Sequence, residues 1–73
     1  MKGALTDAEK DMIDLAYELA GKGILSRHML ARESQLTIHT IHVRLYRIFK
    51  KLQVSGLVQL VLKRANQQIP EMI

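Results

Sequence analysis

Two helical patterns separated by a very short connection limit most strongly how this 73-residue chain can fold. Ser26 is suited to cap a short helix at about 27–33, and Thr37 to cap a longer one at about 38–52. The connection between them, around 34–36, is about three or four residues long, and helices joined so closely commonly cross at a wide angle. The spacing therefore predicts a helix-turn-helix unit.

The longer helix is amphipathic along its length. At about 100° per residue, one stripe is apolar and comprises Ile38, Ile41, Leu45, Ile48, Phe49 and Leu52. A polar and basic sector on the other side comprises His39, His42, Val43, Tyr46, Arg47 and Lys50. The sector beside it comprises Thr40, Arg44 and Lys51. Such a helix is suited to anchor in a core through one side and to bind a partner through the other.

Further helices are expected on both sides of this unit. The segment Thr6-Asp7-Ala8-Glu9 is a capping box and starts a helix at about 7–20, which Gly21 and Gly23 would end. Ser55 would cap a fourth helix at about 56–65. The sequence thus predicts an all-α domain of four helices over 1–66, followed by a frayed C-terminal tail at 67–73.

The fourth helix is apolar nearly all round, and a peripheral helix cannot bury every side against its own chain. One face is therefore expected to contact a second surface, most simply the same helix of a second copy. This predicts a homodimer through Leu57, Val58, Val61 and Leu62.

Charge is distributed unevenly along the chain. The net charge is +4, with five acids and three bases in 1–25 but eight bases and a single acid in 26–65. A basic block of this kind is what a polyanion-binding surface requires. The alternative is a solvated surface without a ligand.

Several classes of protein are disfavoured. No apolar run is long enough to span a bilayer, and the first residues do not resemble a signal peptide. The chain has no cysteine, so we expect a cytoplasmic protein without disulfides. A domain this short rarely holds both a core and a deep catalytic pocket, so we expect no enzyme. His39 and His42 lack neighbouring Cys, Asp or Glu, so we expect no metal and no cofactor.

Several motifs, taken in order, are similar to one family. They are Leu5-Thr6-x-x-Glu9, Ser26-x-x-x-Leu30-Ala31, Thr37-x-x-Thr40-Ile41-x-x-Arg44, Lys51-Leu52-Gln53-Val54 and the apolar stretch 57–61. Together they resemble the LuxR/GerE-type helix-turn-helix domain. The sequence departs from that pattern at Gln35, which replaces the glycine of the turn and predicts a non-glycine residue at positive φ. Residues 40–45 also resemble region 4 of sigma factors, which accounts less well for the fourth helix.

The resemblance implies a DNA-binding transcriptional regulator with helix 38–52 in the major groove of double-stranded DNA. It implies base contacts from His39, His42, Val43 and Tyr46, while Arg47 contacts guanine or a phosphate. We expect phosphate contacts from Ser26, Arg27, Thr40, Arg44, Lys50 and Lys51. The alternative is a protein-interaction module that binds another regulator or RNA polymerase through acidic helix 1 or apolar helix 4.

Two aromatic residues are interpreted as core. Tyr17 and Phe49 lie at helical spacing among apolar residues, which favours packing over binding.

Overall fold

The computed structural model describes residues 4–66, and all regular structure in this range is α-helical. Four helices follow in order: α1 (Asp7–Gly21), α2 (Arg27–Ser34), α3 (Ile38–Leu52) and α4 (Leu57–Ala65). The predicted all-helical class and the four helices are confirmed, and every predicted end lies at the observed end or one residue from it. The predicted tail at 67–73 lies outside the described residues.

Side-chain caps begin three of the helices as the sequence predicts. The Thr6 Oγ1 atom accepts from the Glu9 N–H at 3.1 Å, and Glu9 Oε1 accepts from the Thr6 N–H at 2.9 Å, which completes the capping box. Ser26 and Thr37 each cap their helix by accepting from the N–H three residues on, without the reciprocal bond.

The fourth cap was predicted incorrectly. Gly56, not Ser55, is the N-cap residue of α4, and it supplies no side-chain hydrogen bond. The Ser55 N–H instead donates to Gln59 Oε1 at 2.9 Å. The Gln59 side chain, in the first turn of α4, thus pairs with the N–H of a residue just before the helix. The preference of Ser for N-cap positions does not predict this hydrogen bond.

A residue with a left-handed backbone conformation follows each of the first three helices. Helix α1 continues through Gly21, and Gly23 at φ 74° reverses the chain, with the Ile24 N–H donating to the Leu19 carbonyl at 3.0 Å. Gln35 follows α2 at φ 59°, as its place in the turn predicts, and Gln53 follows α3 at φ 57°. A left-handed backbone conformation costs a non-glycine residue about 1–2 kcal/mol. The short turn before α3 therefore forms although the backbone of Gln35 disfavours this conformation.

One core holds the helices together. Its largest fully buried side chains are Ile13, Leu30, Ile41, Leu45, Ile48 and Leu60. Helix α1 packs on α4, and α2 packs on α3. None of the helices within residues 4–66 has the length and hydropathy needed to cross a bilayer.

The two aromatic residues predicted to be core behave differently. Phe49 packs against the core as expected. The prediction for Tyr17 is wrong, because its side chain is 41% exposed and lies under the Arg64 guanidinium, 4.9 Å from the ring centroid. Arg64 also contacts Asp14 at 3.1 Å, so this ring and its charged neighbours join α1 to α4 at the surface.

Candidate nucleic-acid interface

The side of α3 that faces away from the core is open to solvent. Four residues of the opposite side are buried: Ile41, Leu45, Ile48 and Leu52. Six residues on the outer side are all exposed and are called here the recognition face: His39, His42, Val43, Tyr46, Arg47 and Lys50. The adjacent sector, with Thr40, Arg44 and Lys51, is only half-exposed. The helix is therefore anchored by one side and available for contact on the other.

Two residues of the recognition face lie against each other one turn apart. The Lys50 Nζ atom is 5.3 Å from the centroid of the Tyr46 ring, and Tyr46 is 61% exposed. Cation–π contacts at exposed sites contribute about 0.5–1 kcal/mol. The pair orders two long side chains at the C-terminal half of this face, a contact that the i, i+4 spacing of the two residues permits but that sequence analysis did not identify.

The start of α2 joins the recognition face. Arg27 lines a shallow groove of about 440 Å³ together with His42 and Tyr46 of α3, over a floor of Leu45 and Phe49. The Ser26 Oγ atom accepts from the Met29 N–H at 3.1 Å, so its hydroxyl is used as a cap. The first turn of α2 and the outer side of α3 thus form one surface, which presents an arginine from each helix.

Lys51 does not belong to this surface. Its Nζ atom lies 2.7 Å from Glu9 Oε1 and 3.0 Å from the Ala4 carbonyl oxygen, and its side chain is only 26% exposed. The expected phosphate contact is corrected accordingly: the ammonium group joins α3 to the start of α1. Lys51 borders the apolar stripe, so its stem lies along the core and its charge reaches the capping-box carboxylate.

The Glu9 carboxylate is 5% exposed and is held in its ionised form. Burial by itself raises its pKa. The hydrogen bonds from Lys51 and from the Thr6 backbone, together with the Lys51 charge, outweigh that effect and hold the pKa below its ordinary value of 4.5. One carboxylate thus serves both the helix cap and the link between α1 and α3.

Lys51→Met is expected to lower the free energy of unfolding at neutral pH by about 1–3 kcal/mol, because it leaves a buried carboxylate without its charged partner. Urea denaturation followed by circular dichroism measures this loss. Lys50→Met is the matched control: it removes the same charge from the next, exposed position, and its expected loss is at most about 1 kcal/mol, the contribution of the exposed contact with Tyr46. Equal losses in the two variants would contradict the assigned role of Lys51.

Stability is also expected to depend on the ionisation of Glu9. Since the native pKa lies below the ordinary value of 4.5, this contribution is complete above that value and is lost as pH falls through the native pKa. Unfolding free energies of the wild type and Glu9→Gln, measured by urea denaturation between about pH 6 and pH 3, should therefore converge toward the acid end. A difference independent of pH would show that the charge of Glu9 contributes nothing.

The residues expected at a dimer interface occupy one side of α4. Val58 is 73% and Leu62 is 55% exposed, while Leu57 and Val61 pack partly against the core. These four side chains line an open apolar groove of about 500 Å³ with Ala20, Gly23 and Leu25. The sequence correctly indicated that α4 has more apolar surface than its own core covers.

Acidic side chains lie along α1. Four of them, Asp7, Asp11, Asp14 and Glu18, are exposed. Glu18 pairs with Lys22 at 3.3 Å, and Asp14 pairs with Arg64. Within residues 4–66, no three His, Asp or Glu side chains converge as ligands for a metal ion. Asp11 lines a groove together with Arg44 of α3, so the acidic side of α1 reaches the edge of the basic surface.

Comparison with known proteins gives no match, whether with protein-family models, with curated proteins or with solved structures.

Proposed function

We propose that this chain is a DNA-binding regulator of transcription, with the helix-turn-helix arrangement of the LuxR/GerE type. The observation that carries the proposal is the division of α3 into an apolar side, with four residues buried in the core, and an exposed basic side. A recognition helix requires this division, because it must be held rigidly while its outer side chains enter the major groove. Such an activity places the protein in the cytoplasm.

In this proposal α3 lies in the major groove of double-stranded DNA. His39, His42, Val43 and Tyr46 contact base edges from the centre of the recognition face, and Arg47 contacts guanine. Phosphates are contacted from the borders of that face, where side chains position the helix without specifying sequence. The phosphate set comprises Ser26, Arg27, Thr40, Arg44 and Lys50, with the free N–H groups of the first turn of α2 beside Ser26.

The apolar side of α4 supplies the second half of the proposal. Val58 and Leu62 are exposed beside the half-buried Leu57 and Val61, and a second copy related by a two-fold axis would cover all four. A symmetric dimer places two α3 helices about 34–36 Å apart, one turn of DNA, so the bound sequence is an inverted repeat.

The proposal predicts a steep dependence of DNA affinity on salt. Three cations are available for phosphates in each protomer: Arg27, Arg44 and Lys50. Between 50 and 200 mM salt, affinity is expected to fall roughly 40-fold for one protomer and roughly 2 × 10³-fold for a dimer, from a slope of about −0.9 per phosphate neutralised. Fluorescence anisotropy on a mixed-sequence duplex measures the slope, and absence of binding at the lower salt concentration would overturn the proposal.

A second function is favoured by two other surfaces. The apolar groove beside α4 and the exposed acids of α1 suit an interaction module that binds another regulator or RNA polymerase. In that case Val58→Glu would abolish partner binding while Arg47→Ala would leave it unchanged. Pull-down with RNA polymerase, using both variants, distinguishes this function from DNA binding.

A further inference from the structure

The residue types on the recognition face limit which bases it can contact. Helix α3 contains no Asp, Glu, Asn or Gln between Ile38 and Leu52. Its exposed side therefore presents donors alone from Arg47 and Lys50, groups that both donate and accept from the two histidines and Tyr46, and one aliphatic side chain, Val43. Amides occur only outside the helix, at Gln35 before it and Gln53 after it.

Each base requires a different partner in the major groove. Adenine presents a donor beside an acceptor, which the amide of Asn or Gln matches, and the cytosine amino group requires an acceptor such as a carboxylate. Guanine presents two acceptors, which Arg or Lys matches, and thymine presents a methyl group, which an apolar side chain contacts. A histidine ring cannot pair with both adenine groups at once, because its two nitrogens point in different directions.

The spacing of Val43 and Arg47 along α3 predicts how far apart their two bases lie in the DNA. Arg47 follows Val43 by four positions, so both lie on the same side of α3, about 6 Å apart along its axis. Successive base pairs are about 3.4 Å apart, so the two side chains meet positions about two base pairs from each other. Val43 is 37% exposed, which leaves its methyl groups available for contact.

We propose that the half-site recognised by this chain contains a guanine contacted by Arg47 and, about two base pairs away, a thymine whose methyl group contacts Val43. This inference rests on the proposed function, since it names the DNA that the same surface selects. It assigns the selection of these two positions to guanine acceptors and a thymine methyl group.

Selection of bound duplexes from a random library, followed by sequencing, tests the inference. The expected half-site has the stated guanine and thymine. In the selected duplex, 7-deazaguanine at that position lacks the N7 acceptor but keeps O6, and the loss of one hydrogen bond should weaken binding roughly 2- to 13-fold. Deoxyuridine in place of the thymine removes one methyl group and should weaken binding roughly fourfold.

Two variants assign each preference to its residue. Val43→Ala should make thymine and deoxyuridine equivalent while the 7-deazaguanine effect persists, and Arg47→Ala should do the reverse. Lys63→Ala is the control, because it removes a cation from α4 and should leave both preferences intact. Circular dichroism of each variant verifies that the fold is retained.

The outcomes separate this inference from the function on which it rests. Absence of binding to any duplex overturns both. Salt-dependent binding without a selected sequence overturns the inference alone, because only phosphates are then contacted. A selected half-site lacking the guanine or the thymine, or a preference unaffected by its assigned variant, also overturns the inference and leaves DNA binding in place.

Discussion

Val58→Glu is expected to convert the proposed dimer into a monomer and to weaken binding to a duplex with two half-sites by about 10²–10⁴-fold. The carboxylate would be placed at a 73%-exposed position in the centre of the apolar side of α4, where a second copy would have to desolvate it. Loss of the second protomer removes the effective concentration that links the two half-sites. Sedimentation measures the mass, and anisotropy measures the affinity.

A neighbouring position provides the control. Gln59→Glu adds the same charge to the next residue, which is exposed and uses its side-chain oxygen to accept from the Ser55 N–H. This variant is expected to remain dimeric. The slope of affinity against salt should also halve in Val58→Glu, because one protomer neutralises half as many phosphates. A wild-type protein that sediments as a monomer on the two-site duplex would contradict the dimer.

Ile41→Ala is expected to lower the free energy of unfolding by about 2–5 kcal/mol, the usual cost of removing a buried aliphatic side chain. Ile41 is fully buried beneath the recognition face, between two exposed histidines. The total stability of a domain this size is roughly 4–11 kcal/mol. The substitution therefore removes a large part of the stability, so the protein should unfold at lower temperature and lower urea concentration, and DNA binding should be lost with the fold. Thermal and urea denaturation measure this effect.

Val43→Ala is the matched control for Ile41→Ala. Both substitutions remove part of a β-branched side chain from α3, but Val43 lies on the outer side of the helix and is 37% exposed. Its loss is expected to cost less than about 1 kcal/mol. A comparable loss of stability in both variants would mean that α3 is not held by its apolar stripe.

Local signals were sufficient to predict the helices. Thr6, Ser26 and Thr37 are short polar residues placed directly before helical patterns, and each accepts a backbone N–H as expected. These contacts span only three residues, so sequence neighbours determine them. Two helix ends are exceptions: Gly56 rather than Ser55 caps α4, and the C-cap residue of α3 is Gln53. Its left-handed backbone was not anticipated, because Gln carries no local preference for that conformation and the Val54 N–H bond to the Phe49 carbonyl stabilises it.

The candidate site was predicted in part. Helical periodicity placed six side chains together on the outer side of α3, because the angle between residues of one helix is set by its geometry. The same projection put Lys51 among the cations available for phosphate. Its partner is 42 positions away in the sequence, and periodicity within one helix carries no information about such a contact.

The sequence alone determined the all-α class, the places where the first three helices begin, and the amphipathic character of α3, since each depends on residues within a few positions of one another. The tertiary structure determined which charged and aromatic side chains face solvent and which contact another helix. It turned Lys51 toward Glu9, placed Tyr17 under Arg64 at the surface, and brought Arg27 beside His42 and Tyr46. These outcomes depend on how separate helices pack, because a side chain at the border of a buried stripe can face solvent or a neighbouring helix with the same local sequence.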